Sequence, residues 1–487
     1  MNVLFIYSVE NALSENKPLS SPLLIQFGIS YLSSFLKQNK HKTDILILSR
    51  SLGRKNYRLI DNKIKDFKPN LIGFTSVATE YNFISSMSKY IKINYSDLFL
   101  IIGGPHATLN PDEVIKDSFG ALCIGEGEYP LLELANVLEN NNRATGINNL
   151  WIKQGNIIEK NNISPFFNDL DKLPFPDREI WENYIDYEYS YFSENISVLL
   201  GRGCPYSCTY CCNHSIRQIA KGRYVRFRTP KNIIEEIRLI HKKYPLEKKI
   251  YLEVESFGVN KKWAFEICNE LEKFNEEIND PIEFGLNIRI TPGFDFEKLF
   301  YACRKANVLY LNIGLESGSE KVRTQILKRN YSNEDVMGTV ELARKNKLNF
   351  NFYVMMGIPG ETYKDFQETI KICRICQPNE ILLSIFYPYP GTELFELSKK
   401  MGLLKNNLNI RMERRQVAID LPDFNKRQIQ KNYIWFNYNV YKNYKSELSL
   451  VLNVLIKYLR LNPVIDRLLT RIFHSSLIIK FKRVIRY

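Results

Sequence analysis

Three cysteines within eight residues carry the strongest chemical signal in this chain. They stand in Gly201-Arg-Gly-Cys204-Pro-Tyr-Ser-Cys208-Thr-Tyr-Cys211-Cys212-Asn-His214, directly after a short apolar run that reads as a strand. Thiolates at this spacing on one loop each reach a corner of a cubane iron–sulfur cluster, and the fourth iron is left without a protein ligand. An open iron can chelate a substrate, whereas a cluster closed by four protein ligands only passes electrons. Zinc is a competing occupant, because Cys212 or His214 would complete a four-ligand set. Zinc sites usually pair a short CxxC with a second, distant ligand pair, and the sequence offers none. A closed electron-transfer cluster is the other alternative. Cys123, Cys268, Cys303, Cys373 and Cys376 lie in apolar or helical contexts and read as small buried hydrophobes. Cys373 and Cys376 form a CxxC inside a predicted helix, without the strand and turn that precede a redox pair.

A loop of this kind needs a strand end to hold it. From 196 to about 400, apolar runs at 196–200, 249–254, 283–288, 308–314, 349–356 and 380–386 alternate with helical stretches. One such stretch, 230–243, opens at Thr229-Pro230 with a cap residue and a first-turn proline. Six such units predict a partial (β/α)6 barrel with active residues at the carboxyl ends of its strands. Those ends carry Glu255-Ser256, Asn287 with Arg289, Gly314-Leu-Glu316-Ser-Gly318, Gly357-Ile-Pro-Gly-Glu361 and Pro388-Tyr-Pro-Gly-Thr392. A lone carboxylate is usually half of a surface ion pair. Carboxylates at successive strand ends facing one mouth favour a binding role, more for Glu316 than for Glu255.

Residues 1–140 repeat the rhythm, with apolar runs at 3–7, 44–48, 71–75, 98–103 and 121–124. Alternating strands and helices predict a doubly wound parallel sheet that binds ligands beyond its strands' carboxyl ends. There stand Thr75-Ser76, Gly103-Gly104-Pro105-His106 and Gly125-Glu126-Gly127-Glu128, whose glycines let backbone approach a bulky ligand. The expected class is therefore α/β: the N-terminal sheet (1–140), a connection (141–195), the partial barrel (196–400) and a helical C-terminal tail (401–487). The connection includes the proline-fixed stretch 170–177.

The formal charge of +14 is concentrated in the tail. Residues 426–487 hold 13 Lys and Arg against Glu447 and Asp466, which leaves only +3 for everything before them. Such a distribution carries no general nucleic-acid signature. It suggests instead that the tail either docks on an anionic membrane or an acidic partner, or caps the barrel as packed helices. No window offers the roughly 20 apolar residues of a spanning helix, and the first residues lack a signal-peptide pattern. A cytoplasmic location, possible as a peripheral membrane protein, is the expectation.

The CxxxCxxC loop after the first barrel strand resembles the signature of the radical S-adenosylmethionine (SAM) superfamily. The later motifs resemble its branch with an N-terminal cobalamin-binding domain, and the likeness covers about residues 1–400. It implies that Cys204, Cys208 and Cys211 hold a 4Fe-4S cluster and that Tyr210 packs beside the adenine of SAM. It further implies that Glu255 and Ser256 meet the methionine ammonium, Asn287 and Arg289 the ribose and carboxylate, and that Glu316 is another SAM-binding carboxylate. A carboxylate suits an ammonium through charge-assisted hydrogen bonds. For the first domain it implies cobalamin, with Thr75, Ser76, Gly103, Gly104, His106, Gly125 and Glu126 as contacts. The Asp-x-His-x-x-Gly motif that gives many cobalamin proteins an axial histidine is missing, and His41 and His106 are the domain's only histidines.

The implied reaction is reductive cleavage of SAM to a 5′-deoxyadenosyl radical, using an external low-potential electron donor. Methyl transfer to an unactivated carbon of a small-molecule or lipid-linked substrate would follow. Ring formation, as in the anaerobic magnesium-protoporphyrin ester cyclase, is a related outcome. A tRNA methylthiotransferase would show further cluster cysteines before residue 140, where only Cys123 stands, and a terminal β-barrel. Outside enzyme classes, the alternative is a non-catalytic iron–sulfur or cobalamin sensor.

Overall fold

Runs of Val, Ile, Leu and Phe become buried parallel strands in both halves of the chain. The computed structural model describes residues 1–187, 196–404 and 413–473. Described residues within Met1–Ser193 and Cys212–Arg228 form one unit; those within Glu194–Cys211 and Thr229–Tyr487 form another. The chain thus passes from one unit to the other three times, once directly after Cys211.

The first unit is built on β1 (Asn2–Val9), β2 (Lys42–Ser49), β3 (Leu71–Thr75), β4 (Phe99–Gly103) and β5 (Ala121–Cys123), all parallel. Their order is β2-β1-β3-β4-β5. Helices Phe27–Gln38 and Glu128–Glu139 cover one face together with the fully buried Trp181. Helices Lys55–Phe67 and Tyr81–Asn94 cover the other, so the sheet is doubly wound as expected. Helix Lys55–Phe67 shows the economy of this layer: its apolar anchors are Ile60 and Ile64, one turn apart. Burying each contributes about 1.5–3 kcal/mol.

Residues 150–160 differ from the expected connection. They form β6 (Leu150–Gln154) and β7 (Ile157–Lys160), which extend the sheet antiparallel beyond β5. Only Leu150 and Ile152 are buried, and Gly155 turns the hairpin at φ +62°, so the pattern is too short to stand out in sequence. The segment after the cysteine loop also belongs to this unit: the Phe166 N–H donates to the Lys221 carbonyl at 3.1 Å.

In the second unit six parallel strands lie side by side in an unbroken order. They are Ile196–Leu199, Lys249–Phe257, Glu283–Ile288, Val308–Glu316, Asn349–Met356 and Glu380–Ile385, referred to below as the first to sixth barrel strands. Thr229, Asn260, Asp295, Ser332 and Thr362 each accept a backbone N–H at the start of the next helix. Each cap is worth about 1 kcal/mol. In the amino-terminal halves of the strands, Tyr251 stacks on Tyr310 with centroids 6.0 Å apart. Gly285 makes room for them, since a Cβ there would lie 2.0 Å from the Tyr310 ring. Aromatic filling at this level leaves the polar residues to the carboxyl ends.

The tail helix Lys426–Tyr441 packs on helix Tyr363–Cys376, with Phe436 against Phe366 and the Tyr441 hydroxyl donating to the Pro378 carbonyl at 3.1 Å. Helices Glu447–Leu459 and Pro463–Phe473 follow. Among the described residues, no helix is long and apolar enough to cross a membrane.

Candidate active site

The cysteine loop follows the first barrel strand and is folded by its own short contacts. Gly203 takes φ +86°, a conformation open to glycine, and the Cys211 N–H donates to the Cys208 carbonyl at 3.1 Å. Thr209 anchors the loop to the barrel, its hydroxyl on the Ile326 carbonyl at 2.7 Å and its carbonyl receiving the Leu394 N–H at 2.9 Å. Burial pushes the Cys204 thiol up to about 11, and Glu255, Cys208 and Cys211 are close enough to add to the effect. Among the described residues, the nine cysteines form no disulfide. Among the described residues, no three His, Cys, Asp or Glu side chains converge on one point as a single ion requires. A cubane asks something else, that each sulfur meet a different iron, and three neighbouring thiols on a tight loop fit that demand.

Arg289, just past the third barrel strand, points at the loop. Its Nη1 donates to Cys208 Sγ at 2.9 Å, and its guanidinium lies 3.8 Å from the centroid of the Tyr206 ring. Glu255 is exposed at the end of the second strand, while its neighbour Ser256 is buried. Asn287 lies deeper and is already engaged. Its Oδ1 accepts from the Tyr251 hydroxyl, which in turn accepts from Asn312 Nδ2 at 2.8 Å, and Asn351 Nδ2 donates to Asn312 Oδ1 at 3.1 Å. These four residues tie four strands together inside the barrel.

Glu316 ends the fourth strand in a strained backbone, with φ +60°. Such a conformation costs a non-glycine residue about 1–3 kcal/mol and clusters at functional sites. Its Oε1 accepts from Arg329 Nη1 at 3.0 Å; the same nitrogen donates to the Tyr210 hydroxyl at 2.7 Å, and Nη2 donates to the Gly314 carbonyl at 2.8 Å. Gly314 has to be small, because a Cβ there would lie 2.6 Å from Glu316 Oε1. Tyr210 and Glu316, which the sequence reading assigns separately, are thus joined through one buried arginine.

Arg329 is absent from the sequence reading, as is Glu253. Burial, reinforced by Glu255, pushes the Glu253 carboxyl up to about 7, and Tyr353 lies within its electrostatic reach. Strand alternation from Glu255 was the available signal, since residues two apart share a face.

Glu361 closes the fifth strand and is almost fully buried. Its Oε2 accepts from the N–H groups of Gly357 at 2.6 Å and Ile358 at 3.2 Å, while Oε1 has no partner. Burial raises its carboxyl from the ordinary 4.5 to about 8. Between those values the folded chain keeps a proton that the unfolded chain loses. This contribution to stability is therefore complete below pH 4.5 and is lost as pH rises through about 8. Glu361→Gln keeps the accepting oxygen and removes the titration. Urea unfolding across that window should give a flatter stability profile for the variant than for the wild type.

In the first unit, the strand ends place Ser76 and His106 in the interior. Ser76 Oγ and His106 Nε2 are buried without partners. His106 packs on the Tyr81 ring at 4.4 Å, its Nδ1 lies 3.3 Å from Asn110, and burial lowers it to about 4, so it is neutral at pH 7. A Cβ on Gly104, where φ is +93°, would lie 2.6 Å from Thr75 Oγ1. Gly103 has its nearest such neighbour at 3.7 Å, on Cys123, and Gly125, at φ +84°, lies against Ile219 and Asn149. Glu126 is committed to the protein itself, its Oε2 accepting from Arg226 Nη1 and the Phe167 N–H, each at 2.9 Å. Orphaned polar atoms beside glycines that a side chain would choke fit a polar ligand approached by backbone.

Comparison with known proteins agrees with both halves. Residues 198–373 match the radical SAM superfamily, and residues 22–135 match the B12 binding domain. An uncharacterized methyltransferase of Pyrococcus horikoshii is 25% identical over 414 residues, covering 83% of this chain and 85% of that protein. The anaerobic magnesium-protoporphyrin IX monomethyl ester cyclase of Rubrivivax gelatinosus is 24% identical, over 76% of this chain and 65% of its own length. Among solved structures, the radical SAM methyltransferase TsrM of Kitasatospora setae superposes with a TM-score of 0.64 at 15% identity, over 84% of this chain and 77% of that one.

Proposed function

We propose that this chain, a member of the radical SAM superfamily with an N-terminal B12-binding domain, is a cobalamin-dependent enzyme that cleaves SAM reductively and transfers a methyl group to an unactivated carbon. The observation that carries this reading is the cysteine loop at a barrel mouth lined by Glu255, Arg289 and the Glu316–Arg329–Tyr210 cluster. When bound, a 4Fe-4S cluster supplies the electron that divides SAM into methionine and a 5′-deoxyadenosyl radical, and cobalamin supplies the methyl group.

Cys204, Cys208 and Cys211 hold the cluster. Glu255, exposed beside Cys204, accepts hydrogen bonds from the methionine ammonium. Arg289 sits close enough to the loop to meet the methionine carboxylate. Arg329 fixes the Tyr210 hydroxyl and so holds the ring where an adenine can pack beside it. Thr75, Ser76, Gly104 and His106 supply the cobalamin contacts of the first unit. The electron comes from an external low-potential donor.

Anaerobic protein with a reconstituted cluster and hydroxocobalamin, given reductant and SAM, should release 5′-deoxyadenosine. A sensor would bind both groups and release none. The protein should keep cobalamin through desalting with a spectrum lacking histidine coordination, because His106 is buried against Tyr81. SAM labelled in its methyl group separates the remaining readings: label in the product means methylation, and loss of hydrogen without label means ring formation.

A further inference from the structure

The tail helices differ in what they cover. Helix Lys426–Tyr441 turns Ile429, Phe436 and Val440 inward and serves as a cap. Helix Glu447–Leu459 buries Leu450 alone. Its Leu448, Val451, Leu452, Leu455 and Tyr458 recur at steps of three and four and are 48–72% exposed. That spacing makes one continuous apolar stripe. Val464 and Leu468 on the next helix are exposed as well. Single exposed apolar residues are ordinary, but a contiguous row marks a docking surface.

Charge around the row decides what it fits. Lys442 and Lys445 are exposed just before the helix, and Lys480, Lys482, Arg483 and Arg486 follow in sequence among Ile, Phe and Val. The two acids of 426–487 are already engaged. Asp466 pairs with Arg415 at 3.1 Å and Arg460 at 3.7 Å, and Glu447 accepts from the Tyr438 hydroxyl at 3.0 Å. A second copy of this chain would bring the same surplus of cations to the row and be repelled. An anionic lipid surface would attract them. Trp435, Tyr444 and Tyr458 are also exposed, and such rings favour the headgroup level. At about 20 Å, the helix is too short to span a bilayer but long enough to lie along one.

We propose that the outward row of helix Glu447–Leu459 docks the protein on an anionic lipid bilayer, with the tail's cations meeting the headgroups. The test is co-sedimentation of the full chain with phosphatidylcholine vesicles, with or without roughly a third phosphatidylglycerol. Two variants accompany it: Leu448→Ser/Leu452→Ser/Leu455→Ser and Lys480→Gln/Lys482→Gln/Arg483→Gln/Arg486→Gln. Binding should appear only with the anionic lipid, fall with salt, and drop at least about tenfold in each variant. Because the serine sites are exposed, an unchanged thermal transition will show that the fold is intact. Equal recovery in the supernatant with both lipids overturns the proposal. So do binding to neutral vesicles at the same level, undiminished binding of the serine variant, and concentration-dependent dimerisation through the row.

Discussion

Alanine at Cys204, Cys208 or Cys211 is expected to bring SAM cleavage below detection, while Cys212→Ala keeps most of it. In the proposed reading each of the three would supply one corner of a cubane, and a missing thiolate would leave an iron open to water and loss. Cys204 shares its electrostatic neighbourhood with Cys208 and Cys211, whereas Cys212 begins a helix of the other unit. Iron content, visible absorbance and 5′-deoxyadenosine release should fall together in the three variants. If Cys212→Ala proved as damaging, a cluster closed by four protein ligands would replace the open one, and the proposed reaction would lose its basis.

The second large effect is expected at Arg329. Arg329→Met should cost about 3–5 kcal/mol of stability, because it leaves the buried Glu316 carboxylate without its cation. Arg329→Met/Glu316→Gln should recover most of that loss, since no uncompensated charge remains. Urea unfolding of the wild type, the single variant and the double variant measures the difference. A double variant no more stable than Arg329→Met would show that the arginine acts through Gly314 and Tyr210 instead of the ion pair. The single variant should also bind SAM more weakly, as Tyr210 loses the guanidinium at its hydroxyl.

The strand ends were legible because each joins a buried apolar run to glycines or carboxylates within a few residues. Cys204, Glu255, Arg289 and Glu316 all come from such local patterns. What escaped is non-local. Arg329 lies 13 residues beyond Glu316, past the π-helical turn Val322–Ile326, where nothing in sequence marks it as the partner. Glu126 accepts from Arg226, 100 residues away, a partnership that no local pattern announces. Asn287 has a binding residue's position, but Tyr251, from a different strand, takes its amide oxygen. The hairpin of β6 and β7 escaped because two buried residues make too faint an alternation. In the tail, amphipathic spacing announced helices without telling a cap from an exposed row, since both repeat at the same period.

The triple passage of the chain between its units sets an order on synthesis. The Glu126 carboxylate leaves the ribosome 100 residues before the guanidinium that clasps it. At about 5–20 residues per second, that is roughly 5–20 s of translation. Within this interval Cys204, Cys208 and Cys211 emerge, ahead of Ile219 and Arg226. The nascent first unit therefore waits, with Glu126 unclasped, until the thiols of the second are already exposed. A fragment stopped before Cys212 would lack the residues that complete the first unit, so that unit cannot close until synthesis of the second has already begun.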